Sequence, residues 1–123
     1  MSDGQPVHVF RVDKFVVPDD ARDEFVRELR RTHNLLAEQP GFVQDSLLEQ
    51  SDGPGEYNFV TIVEWENHEA LETARDVISA LHERSGFDRE ELFTRHDIRA
   101  DIAAYALIGG SKLTTGGEIR DAN

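Results

Sequence analysis

Histidine is the side chain whose charge changes near neutral pH, and five are spread along this sequence. His33 falls at helical spacing with apolar neighbours. Phe25, Leu29, His33 and Leu36 form one stripe of a segment whose other positions carry Arg22, Glu24, Arg27, Glu28, Arg30 and Arg31. On such a stripe a histidine is either a general base facing a cleft or a core residue with its hydrogen bonds satisfied. His82 follows Ile78 by one turn at the edge of a second stripe, where it reads as a cleft residue or as a cation complementing a helix C-terminus. The single tryptophan, Trp65, is a large core anchor with an N–H to offer. Phe25, Tyr57, Phe59 and Tyr105 are placed to stack on an aromatic ligand, or to be plain core. His68 and His96, beside Glu69 and Asp97, read as solvated, and no His or carboxylate repeat has metal-ligand spacing, so no metal is expected.

These side chains have to be positioned by strands and helices. Tyr57 to Trp65 is an aromatic and β-branched run in which Tyr57, Phe59, Thr61, Val63 and Trp65 alternate with Asn58, Val60, Ile62 and Glu64. Alternation puts Tyr57, Phe59 and Thr61 on the Trp65 face. Both sets carry bulky apolar groups, so both faces of this strand need cover. Residues 6–17 form a first strand of the same kind, closed by Pro18, and Asp19 or Asp20 is the expected N-cap of a helix running to about Gln39. Pro40-Gly41 turns into a second strand, 42–50, and the Ser51 to Gly55 loop suits a hairpin to the Tyr57 strand. Asn67 caps a second helix with Leu71, Ala74, Ile78 and Leu81 on its stripe. Gly86 ends it, Asp88 and Glu91 form a capping box for a short helix, and residues 100–108 make the last strand.

The order β-α-β-β-α-β predicts an α+β, ferredoxin-like antiparallel sheet with its helices on one face. The other face is then bare and apolar, and its simplest cover is a second copy of the chain, giving a homodimeric α+β barrel. The expected organisation is a flexible leader over 1–5, one domain over 6–108, and a flexible or partner-held Gly/Thr-rich tail over 109–123.

Composition narrows the classes. The 123 residues include no cysteine, which excludes disulfides, thiolate nucleophiles and Cys-ligated centres and fits a reducing cytoplasm. Asp and Glu number 25 against 13 Lys and Arg, a net charge of -12, which argues against nucleic acid and anionic membrane as partners. No apolar run has the length of a membrane span, and the expectation is a soluble, unexported protein.

Pro40-Gly41-Phe42, the Val63-Glu64-Trp65 strand end followed by Glu69-Ala70-Leu71, and the late Gly86-Phe87-Asp88 with Arg99-Ala100-Asp101 resemble the antibiotic biosynthesis monooxygenase family of dimeric α+β barrels over about residues 6–108. The resemblance implies a choice among cofactor-free oxygenases that make quinones, quinol monooxygenases, haem-degrading oxygenases and members of no assigned activity. In the quinone-forming members a Trp at this strand end and an Asn four residues earlier line the cleft. Here those positions hold Trp65 and Thr61, a hydroxyl in place of an amide. The Asn, Trp and His of haem-degrading members fall near Asp13, Ala74 and His82.

The implied function is cofactor-free oxidation of a small aromatic or polyketide-like phenol or quinol by molecular oxygen. Trp65 and Thr61 act as hydrogen-bond donors and His33 as base, with Phe25, Tyr57, Phe59, His82 and Tyr105 around the ligand. The alternatives are a non-catalytic dimeric module whose cleft is filled by its own side chains and, third, a haem-binding or haem-degrading protein.

Overall fold

The computed structural model of the protein describes residues 7–110; the expected leader and residues 111–123 of the expected tail lie outside that range. Four strands, β1 (Val9–Val16), β2 (Phe42–Glu49), β3 (Phe59–Trp65) and β4 (Arg99–Ala106), form one antiparallel sheet in the order β2-β3-β1-β4. Three helices, α1 (Arg22–Leu36), α2 (His68–Ser85) and α3 (Arg89–His96), complete the expected ferredoxin-like α+β chain.

Register lays out the helix-covered face in cross-strand rows. Phe42, Trp65, Val9 and Ala106 form one row. Asp45, Val63, Arg11 and Ala104 form the next, followed by Leu47, Thr61, Asp13 and Ile102, and then by Glu49, Phe59, Phe15 and Ala100. Burial along β3 alternates strictly, with Phe59, Thr61, Val63 and Trp65 buried and the residues between them half-buried. Two apolar clusters anchor the helices. Phe15, Val17, Ala21, Phe25, Phe59 and Ile98 pack at one end, where Phe25 meets the Phe15 and Phe59 rings edge-on at 5.0 and 5.1 Å. Val63, Trp65, Leu71 and Ala74 pack at the other, with Phe42 against Trp65 at 5.8 Å.

Local chemistry sets the element ends. The Asn67 side chain accepts from the Ala70 amide and starts α2, Gly86 ends it at φ +80°, and Asp88 accepts from the Glu90 and Glu91 amides to start α3. The expected aspartate cap of α1 is not made. The chain enters α1 through a tight turn over Asp19–Ala21 with Ala21 N–H donating to the Pro18 carbonyl, so Ala21 takes the cap position and no side chain caps the helix. Gly41, at φ +85°, closes the α1–β2 turn against α2: a Cβ there would lie 2.4 Å from that of Ala70.

The opposite sheet face carries Phe10, Val12 and Val16 of β1, Val60 and Ile62 of β3, Leu48 of β2 and Tyr105 of β4, half-buried or exposed. No helix of the described residues is long and apolar enough to cross a membrane.

Candidate active site

Between the two apolar clusters the helices stand off the sheet and leave a cavity of about 700 Å³. Its floor is the two middle rows, with Thr61, Val63, Arg11 and Asp13, and with Trp65 at the end. Its walls are His33, Thr32 and Leu29 of α1, Ile78 and His82 of α2, and Arg89 and Phe93 of α3.

Of the eight residues singled out from the sequence, five line this cavity: Trp65, Thr61, His33, Phe25 and His82. Trp65 and Thr61 are 1% and 2% exposed, and neither the indole N–H nor the hydroxyl bonds to any described residue, so two buried donors are free for a ligand. His33 is buried, and its Nδ1–H donates to Oδ2 of Asp45 at 2.8 Å. That bond fixes the ring and leaves Nε2 as the basic nitrogen, which no described residue engages. The His82 ring packs edge-on to Phe87 at 4.9 Å with Nε2 3.4 Å from the Thr32 hydroxyl. Burial, reinforced by Arg31 and Arg89, pushes its pKa below the usual histidine range.

The other three lie elsewhere. Phe59 is part of the apolar cluster beneath the cavity. Tyr57 is on the opposite sheet side, its hydroxyl 3.4 Å from Asp101 Oδ2 and its ring 5.9 Å from the Lys14 amine. Alternation fails for it because the ladder begins only at Phe59: the Asn58 side chain clamps both the N–H and the carbonyl of Val17, and the chain turns there. Tyr105 pairs with Phe10 on the uncovered face, half-exposed.

Three groups in or beside the cavity were not among the site residues singled out from the sequence. Asp45, the partner of His33, is aimed inward by a β-bulge between Phe42 and Gln44, which shifts the alternation of β2 by one residue. Arg11 and Asp13 are joined by an Nε–H to Oδ1 hydrogen bond of 2.7 Å, both four-fifths buried. Their signal was available: two charged residues in the same register as Val9, Phe15 and Val17 of a covered central strand. Arg89 lies with its guanidinium 5.0 Å over the Phe93 ring.

The arrangement can take up a proton at a held imidazole, offer two donors to a developing oxyanion, and enclose a flat apolar body between sheet and helices. Residues 9–84 match the family model described as antibiotic biosynthesis monooxygenase. Among solved structures, SnoaB, a cofactor-independent oxygenase from Streptomyces nogalater studied as a single-substitution variant, is 25% identical with a TM-score of 0.61, covering 84% of this chain and 95% of its own. Two others share the fold: a candidate monooxygenase from Shewanella loihica (18% identity, TM-score 0.66, 87% and 100% covered) and the haem-degrader MhuD from Mycobacterium tuberculosis with two haems bound (19%, 0.63, 85% and 99%). No curated protein matches the chain.

Proposed function

Because the chain belongs to the antibiotic biosynthesis monooxygenase family, we propose that it is a cofactor-independent monooxygenase that oxidises a small aromatic phenol or quinol with molecular oxygen. The observation that carries this reading is the Asp45-held His33 in one cavity with the unpartnered donors of Trp65 and Thr61. Nε2 of His33 takes the proton of a phenol, or of a methylene beside an aromatic ketone, and the anion so formed is electron-rich enough to reduce oxygen. Carbon–oxygen bond formation gives a peroxide on the former methylene carbon. Loss of water from it takes one oxygen atom and both original hydrogens, and leaves the second oxygen as a quinone carbonyl. Trp65 N–H and Thr61 O–H donate to the substrate oxyanion, whose charge is otherwise unmatched in an apolar enclosure. SnoaB's description as a cofactor-independent oxygenase supports the same chemistry.

A cleft filled by its own side chains, the mark of a non-catalytic module, does not match a cavity of this size. Haem fits poorly. The positions that the resemblance pairs with its Asn and Trp contacts are Asp13, bound to Arg11, and Ala74, buried in the core.

The same reading includes a homodimer, with a second copy covering Val12, Val60 and Ile62, and a cytoplasmic location in keeping with the cysteine-free sequence. The test is oxygen consumption over hydroxynaphthalenes, anthrones and quinols. Uptake is expected with at least one class, falling roughly 100-fold in His33→Ala and by a similar factor in Trp65→Phe. Uptake no faster than buffer for every compound would overturn the assignment.

A further inference from the structure

Charge is unevenly distributed around the cavity. On the side formed by β1 and α3, the guanidinium groups of Arg11 and Arg89 stand near the Asp13 carboxylate, with Asp88 and Glu90 also on the lining. Asp13 is taken by the Nε–H of Arg11, which leaves the terminal nitrogens of Arg11 without a partner among the described residues. Arg89 has no ion pair or hydrogen bond among them either, only the face of Phe93. Of the other carboxylates on the lining, Glu28 is engaged by Arg31 at 3.6 Å and Asp88 by two amides of α3, while Glu83 and Glu90 are exposed and make no side-chain bond among the described residues. Although Arg89 keeps accessible area at the mouth, the protein crowded round its charged end pushes its pKa down, with Asp13 and Glu90 opposing and Arg11 adding.

An arginine with donors to spare, in the wall of a cavity and on a chain with nearly twice as many acids as bases, calls for an anion as its partner. We propose that the substrate carries a carboxylate, or an equivalent anionic oxygen group, and that Arg89, seconded by the free nitrogens of Arg11, is the residue that selects it. This rests on reading the cavity as a substrate site. It adds a distance: Asp45 and Arg11 occupy one cross-strand row two strands apart, about 10 Å at the usual strand spacing. That spacing leaves room for a fused two-ring skeleton between the strand that holds His33 through Asp45 and the strand that carries Arg11.

The matched probes are 2-naphthol and 6-hydroxy-2-naphthoate, titrated calorimetrically into wild type, Arg89→Gln, Arg89→Lys and Arg11→Gln. Wild type should bind the carboxylate about tenfold or more tighter than the naphthol, with the preference shrinking at high salt. Arg89→Gln should remove most of that preference while leaving naphthol affinity unchanged, and Arg89→Lys should restore part of it. Equal affinity for the two probes in wild type, an equal loss for both in Arg89→Gln, or binding of neither overturns the anion site. Oxygen uptake separates this from the enzymatic reading. Carboxylate preference without uptake from any phenol sinks the oxygenase and keeps the site, whereas uptake without preference does the reverse.

Discussion

Gly41 holds the helix layer at its distance from the sheet, and replacing it with alanine should measurably loosen the end of the cavity next to Trp65. Two costs add. A non-glycine residue at φ +85° costs on the order of 1 kcal/mol or more, and the new methyl, 2.4 Å from the Ala70 Cβ, must displace α2 or the turn, an overpacking cost of about 1–3 kcal/mol. Against them stands a gain of about 0.4–1 kcal/mol from a stiffer unfolded chain. Gly41→Ala is therefore expected to lose about 2–3 kcal/mol in urea unfolding. Gly86→Ala supplies the control, since Gly86 has a similar φ of +80° with nothing within 4 Å, and should lose only the conformational part. In the Gly41→Ala background, Ala70→Gly should recover stability beyond its own helix-propensity cost of about 1 kcal/mol. If Gly41→Ala is no less stable than Gly86→Ala, or if Ala70→Gly rescues nothing, the close approach does not govern that seam.

Two further outcomes follow from surfaces away from the cavity. The Arg95 guanidinium and the His96 imidazole hold the Glu24 carboxyl down at about 2. A depressed folded-state value stabilises the fold above the unfolded carboxylate range and loses that effect as pH falls through the folded value. Glu24→Gln should thus lower the melting temperature at pH 6, and the gap to wild type should close between about pH 5 and pH 2; a gap independent of pH in that window would contradict the pairing. The homodimer predicts a sedimenting mass of twice 13.9 kDa, with Ile62→Asp giving a monomer or an unfolded chain. A well-folded monomeric wild type would remove it.

Much of this was legible in the sequence because the signals were local and periodic. Period-two alternation within β3 put Thr61 and Trp65 on one buried face, and the α1 stripe turned His33 inward. Legibility ended where periodicity did. Tyr57 lies two residues before the ladder starts, so extending the alternation to it gave the wrong side. Asp45 lies beyond a bulge that no local pattern announces, and counting inward from Phe42 assigns it to the opposite face. Arg11 and Asp13 were visible as charges in a covered register, but only the separation of the two apolar clusters explains how they are tolerated there. The aspartate cap of α1 failed for a similar reason, because a tight turn intervened between the acids and the helix.

The bulge in β2 also makes the acid–base pair depend on strand register as well as on side-chain identity. Removal of Val43 would make Phe42, Gln44 and Asp45 consecutive and leave Asp45 opposite Val63, whereas closing the bulge with every residue kept would bring Gln44 opposite Val63 and turn Asp45 away from His33. Substitutions can weaken this dyad by degrees. A one-residue slip of β2 against β3 would abolish it at once while leaving an intact hairpin, so two sheets of the same shape could differ in nothing but whether the imidazole has its carboxylate.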